Sequence, residues 1–211
     1  MVCYRPISIA EFKLVYEGGM RGFPPRKPDQ PIFYPVLDRR YACEIAEKWN
    51  ATSGEFAGFV TEFHVNDEYA RRFPRRQVGE ARHAELWVPA EQLDEFNRNI
   101  AHPIHVVDAF FGKSYRGLVP EKFGLKGRGA TEQIAALART LRPSPMDFRC
   151  EVLANCEAVF INFAFWKKRD ACEFGITTEQ LAEALAMIET VFSEVYPDLK
   201  LPLTGSERGG E

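Results

Sequence analysis

Five glycines, at positions 112, 117, 124, 127 and 129, fall within eighteen residues and divide the 211-residue chain. A stretch that rich in glycine and without a hydrophobic period reads as a linker. It sets apart two blocks, 1–112 and 130–211, joined by 113–129, and each is long enough for a modest core of its own. Hydrophobic residues at 45% and charged residues at 27% exclude global disorder. A net charge of −3 leaves no whole-chain basic field for nucleic acid. No apolar run approaches the ~18 residues of a membrane span, and Met1 to Pro6 opens no signal-peptide core. The chain is therefore expected to be soluble and cytoplasmic, with no membrane partner.

The first block alternates short helices and strands. Cys3-Tyr4-Arg5 reads as a strand stopped by Pro6. Ser8-Ile9-Ala10-Glu11 is a capping box that opens a helix ending at Gly18-Gly19. The prolines at 24, 25, 28 and 31 make residues 21–31 a stiff loop before the strand Ile32 to Val36. Asp38 caps a helix whose buried face is expected to be Ala42, Ile45, Ala46 and Trp49. Gly58 to Val65 is a strand with Phe59, Phe63 and Val65 on one face. A polar, arginine-rich stretch leads to a strand over His83 to Val88. Pro89 then begins a helix with Leu93, Phe96 and Ile100, and Ile104 to Phe111 is the last strand. The order β-α-β-α-β-β-α-β predicts an α+β domain.

In the second block the residues predict α-β-β-α. A helix over Ala130 to Leu141 precedes two strands, Phe148 to Ala154 and Ala158 to Trp166, and a capped helix begins near Thr177. Both faces of that hairpin would be apolar, so one of them should pack on other protein surface, and residues 130–211 alone should self-associate. Lys167-Lys168-Arg169 reads as the turn after the second strand.

Cys3, Cys43, Cys150, Cys156 and Cys172 are odd in number and form no Cys-x-x-Cys pair, which predicts free thiols. His102 and His105 have no acidic or thiol companion, so no metal is expected. Glu85 draws attention as a carboxylate in an apolar strand, with His83 and Trp87 on its face by alternation. Such a group can stabilise developing positive charge or act as a base, and an edge glutamate in water fits the same pattern. Tyr4-Arg5 offers a guanidinium that could fork onto phosphate or carboxylate. Arg21, Arg26 and Lys27 on the proline loop could face a phosphate. Arg71, Arg72, Arg75 and Arg76 interleave with Phe73 as a nucleic-acid contact would, or as a solvated loop.

Tyr4-Arg5-Pro6-Ile7, Phe23-Pro24-Pro25-Arg26 and Gln30-Pro31-Ile32-Phe33-Tyr34-Pro35-Val36 together resemble a bacterial family that carries the label ADP-ribosylation/crystallin J1. The resemblance continues through Tyr41-Ala42, Trp49-Asn50, Gly58-Phe59-Val60-Thr61, the run from His83 to Glu91, and Phe96-Asn97. It covers roughly residues 4–111, and the element order also resembles the wider ADP-ribosyltransferase superfamily. The resemblance implies a split mixed sheet with short helices, and NAD as substrate without a metal. By the same resemblance Arg5 contacts NAD from the first strand, Tyr34 stacks on nicotinamide or ribose, and Glu85 is the catalytic carboxylate. Tyr4, Arg26 and His83 would complete the NAD contacts. The implied partner is a macromolecular acceptor, protein or nucleic acid, selected or restrained by the second block, with room for a homo-oligomer or regulatory partner. A non-catalytic nucleotide- or partner-binding module and an RNA phosphate-transfer enzyme are the alternatives on the same fold. Arg5, Tyr34 and Glu85 are expected to converge on one cleft between two sheet halves.

Overall fold

A computed structural model describes residues 1–202; residues 203–211 of the expected second block lie outside it. The chain is mixed α+β and divides into two units, Met1–Gly112 and a second that begins at Lys113.

Strand β1 (Val2–Ile7) runs through Pro6 rather than stopping there. The Tyr4 N–H bonds the Val36 carbonyl at 2.8 Å. Alternation points the Pro6 nitrogen to the same side, where β1 meets only the isolated bridge of Val36, so no ladder bond is missing. Helix α1 (Ile9–Glu17) starts at Ser8, whose Oγ accepts the Glu11 N–H at 3.4 Å, and ends at Gly18. Only that half of the capping box forms, because the Glu11 carboxylate is taken by Arg5. After β2 (Ile32–Phe33), Asp38 accepts the Tyr41 N–H at 2.9 Å and caps α2 (Arg39–Lys48). Its buried face is Tyr41, Ala42 and Ala46; Trp49, expected there, caps the helix end and is 60% exposed.

Next come β3 (Ala57–His64), the single turn α3 (Asp67–Ala70), β4 (Arg75–Gln77), β5 (Ala84–Leu86), β6 (Val88–Pro89), α4 (Leu93–Arg98) and β7 (His105–Phe111). Ile100 falls beyond α4 and bridges to Val65 instead. The antiparallel sheet β1-β3-β7 has β3 at its centre. Val60 of β3 is as buried as Phe59 and Phe63, so the expected one-sided alternation is absent. Helix α2 packs Tyr41, Ala42 and Ala46 with Val60 and Val107 on one face. Phe12, Phe23, Phe33 and Phe96 cover Phe59 and Phe63 on the other. A Cβ on Gly58 would stand 2.2 Å from the Ala46 carbonyl oxygen, because the α2 backbone rests directly on β3. Gly58→Ala should therefore destabilise the chain by ~2–3 kcal/mol in urea unfolding; an unchanged midpoint would contradict this packing.

The expected strand 83–88 breaks in two, because its halves pair with different neighbours: β5 with β4, and β6 with β2. Among the described residues Val36 joins this part to the three-stranded sheet, bridging Tyr4 on one side and Glu85 on the other. Tyr4, Val36 and Glu85 thus form one row across the sheet, with side chains on the α2 face.

Among its described residues the second unit is helical, not α-β-β-α. It contains α5 (Ala130–Leu141), α6 (Pro145–Ala154), α7 (Cys156–Lys168) and α8 (Thr178–Val195). Both expected strands are helices. Every residue from Ala158 to Trp166 is buried, and a helix apolar on all sides is one surrounded by others; here α5, α6 and α8 pack around α7. No second hairpin face is left to cover. Lys167 and Lys168 close the helix, where cations suit its dipole, and Lys167 pairs with Glu189 at 3.1 Å.

Segment 113–129 is held to this unit rather than forming an open linker. The fully buried Asn162 of α7 accepts from the Tyr115 hydroxyl at 2.8 Å and the Leu118 N–H at 2.9 Å. Its amide donates to the Leu118 carbonyl at 2.9 Å and to Gln133 Oε1 at 3.0 Å. Asn162→Ala removes all four of these bonds at once, including the one to the buried Gln133, at an expected cost of ~3 kcal/mol. Limited proteolysis should cut 113–129 in that variant and spare it in the native chain; early cutting of both would contradict the anchoring.

Candidate functional site

Glu85 sits at the join of the two sheet parts. Its Oε1 accepts the Tyr41 hydroxyl at 2.9 Å. Positions 41 and 44 are one turn apart on α2, and through them that helix meets Glu85 and His83. The Tyr41 ring stacks on His83 with centroids 4.2 Å apart. His83 Nδ1 accepts the Glu80 N–H at 3.2 Å, and its Nε2 lies 3.4 Å from Glu44 Oε2. Arg82 holds the other oxygen of Glu44 at 2.5 Å. Tyr34 meets Trp87 edge to face at 5.6 Å, and the Arg76 guanidinium lies 5.4 Å from the Trp87 ring centre.

Burial, followed by the hydrogen bond to Glu85 and the charges of Glu85 and Glu44, pushes the Tyr41 phenol up to about 12. At neutral pH Tyr41 is therefore the donor and Glu85 the acceptor. The shift favours the neutral phenol in the fold. Its contribution to stability is complete below the ordinary tyrosine value of ~10 and is lost as pH rises toward 12. Native protein should lose stability across that window more steeply than Tyr41→Phe, as read by urea midpoints; identical slopes would contradict the bond.

Arg5 does not join this group. It follows Tyr4 in β1, so its side chain points to the opposite face of the sheet. There Nε donates to Glu11 Oε1 at 2.6 Å and Nη2 to Oε2 at 3.1 Å, and the guanidinium lies 4.6 Å from the Phe33 ring centre. Only 8% of the residue is exposed. The expected convergence of Arg5, Tyr34 and Glu85 is thus corrected: Tyr34 reaches the Glu85 side through Trp87, while Arg5 is an aromatic-stacked ion pair on the other side. Arg26 shares Arg5's surroundings. It donates to the Ile32 carbonyl at 3.2 Å and to Gln30 Oε1 at 2.8 Å, and burial together with the charge of Arg5 lowers its pKa. Of the expected NAD contacts, Tyr4 shares the row of Glu85 and His83 stacks on Tyr41, Tyr34 touches Trp87 and also acts electrostatically on Arg26, and Arg5 faces the other side. Sequence reasoning gave Tyr41 no role at the site and missed Glu44, although the Asp38 cap fixes the helical register that turns both inward.

No family model, curated protein or solved structure matches this chain.

Among the described residues no helix is long and apolar enough to cross a membrane. The second unit holds an open cavity of about 390 Å³ lined by Arg128, Thr131, Glu132, Ala135, Arg139 and Phe174. Its carboxylate, Glu132, accepts the Gly129 N–H at 2.9 Å and so caps α5. The Glu85 group, with a carboxylate fixed by a phenol and planar rings beside it, has the richer chemistry.

Proposed function

We propose that the first unit binds NAD on the α2 face and transfers ADP-ribose to a macromolecular acceptor, with Glu85 as the catalytic carboxylate. The observation that carries this reading is the half-buried Glu85, fixed through one oxygen by Tyr41 in a group that includes the rings of His83, Trp87 and Tyr34. The resemblance and the two sheet parts joined at Val36 support it as well.

As the nicotinamide–ribose bond breaks, its electron pair leaves with nicotinamide, and positive charge develops on the ribose. A fixed carboxylate stabilises that charge without reorganising. The acceptor nucleophile then bonds to the ribose carbon, and its proton passes to Glu85 or to water. Tyr41 holds its proton too tightly to act as an acid here, so it orients Glu85. Aromatic faces suit the nicotinamide ring. Calorimetric titration of the full chain with NAD should saturate, and Trp87→Ala should weaken binding about tenfold, the loss of one stacking contact. Absence of saturable binding would contradict the proposal.

The engagement of Arg5 by Glu11 on the far face favours a second reading, a nucleotide-binding module without turnover. Nicotinamide release separates the two. In either reading the helical second unit selects the acceptor or restrains the site.

A further inference from the structure

Strand β4 is an edge. Among the described residues it pairs only with β5, in the register Arg75↔Leu86, Arg76↔Glu85 and Gln77↔Ala84. The Trp87 N–H bonds the Pro74 carbonyl, and the Val78 N–H bonds the His83 carbonyl. Backbone groups at the even positions therefore point inward, and those of Arg75 and Gln77 point outward, as the antiparallel ladder requires. All three residues of β4 are exposed. The edge is also strongly cationic. Arg71, Arg72, Arg75 and Arg76 lie within six residues, and of these only Arg72 has a carboxylate within ion-pair reach among the described residues, Glu95 at 3.8 Å.

We propose that this edge docks an extended acidic protein segment by strand addition, and that such a segment is the acceptor class for the transfer at Glu85. The second clause rests on the proposed function; the docking does not. A second copy of the chain is a poor occupant, because the same edge would set arginine against arginine, the usual guard against self-pairing. Nucleic acid could answer the charges, but it has no row of donors and acceptors at the ~3.3 Å strand repeat to satisfy Arg75 and Gln77. An added strand would lie two strand spacings, ~10 Å, from β5, so a long side chain could reach a ribose held at Glu85.

The test uses the full chain without NAD and a fluorescein-labelled ten-residue peptide alternating glutamate and valine, read by anisotropy. Saturable binding is expected, weakened at least tenfold in R71E/R75E and in Gln77→Pro, which removes an outward N–H without changing charge. A charge-matched peptide alternating glutamate and proline should bind at least tenfold more weakly. Circular dichroism of both variants confirms that they fold. No binding, equal binding of the proline peptide, or tighter binding of a competing ten-nucleotide thymidine strand would each overturn the docking proposal. Failure of NAD cleavage with peptide binding intact would remove the transfer and leave the docking.

Discussion

Glu11→Ala is expected to lower the stability of the chain by about 3–5 kcal/mol, read as the urea midpoint. The substitution removes the carboxylate that meets two nitrogens of a guanidinium 8% exposed. Arg5 cannot turn to solvent for compensation, because Phe33 and Phe23 stack on it within 4.6 and 5.9 Å. It would be left as a buried, unpaired charge, which costs far more than the net worth of the pair. Arg5→Met combined with Glu11→Met should recover most of the loss, since two apolar side chains replace two charges in an aromatic surround. A double variant as unstable as Glu11→Ala would mean that Arg5 has another partner.

Glu85→Gln is expected to cut nicotinamide release from NAD at least ~100-fold, the usual scale for removing one preorganised electrostatic group. NAD affinity should change only a few-fold, because the amide keeps the shape and still accepts from Tyr41. The same assay on the Arg5 and Glu11 double variant should give turnover within about twofold of native, since that pair lies on the opposite face of the sheet. A loss there equal to that of Glu85→Gln would restore Arg5 to the site that the resemblance assigns it.

Local chemistry made much of the first unit legible. The Ser8 and Asp38 caps, the proline loop and the alternation of His83, Glu85 and Trp87 depend on neighbours in sequence. The side to which Arg5 turns does not. Glu11 had two acceptable partners, its own helix terminus and a guanidinium on another strand, and only the tertiary arrangement decides between them. The second unit misled for two physical reasons. The run from Ala158 to Trp166 is apolar in every direction, and buried strand and buried helix then have the same pattern. The start of α6 was nonetheless written at Ser144-Pro145, a cap followed by proline in the first turn. The glycines between 112 and 129 looked like freedom but include a position of close approach. Gly117 has φ +78°, and a Cβ there would meet Asn162 Oδ1 at 2.4 Å and Ala130 Cβ at 2.7 Å.

The most direct measurement is nicotinamide release from NAD by the 211-residue chain beside Glu85→Gln, each assayed after NAD binding has been confirmed. The account predicts steady release by the native chain and near-background release by the variant. Saturable NAD binding with no release by either protein, or equal release by both, would contradict the assignment of Glu85 as the catalytic carboxylate.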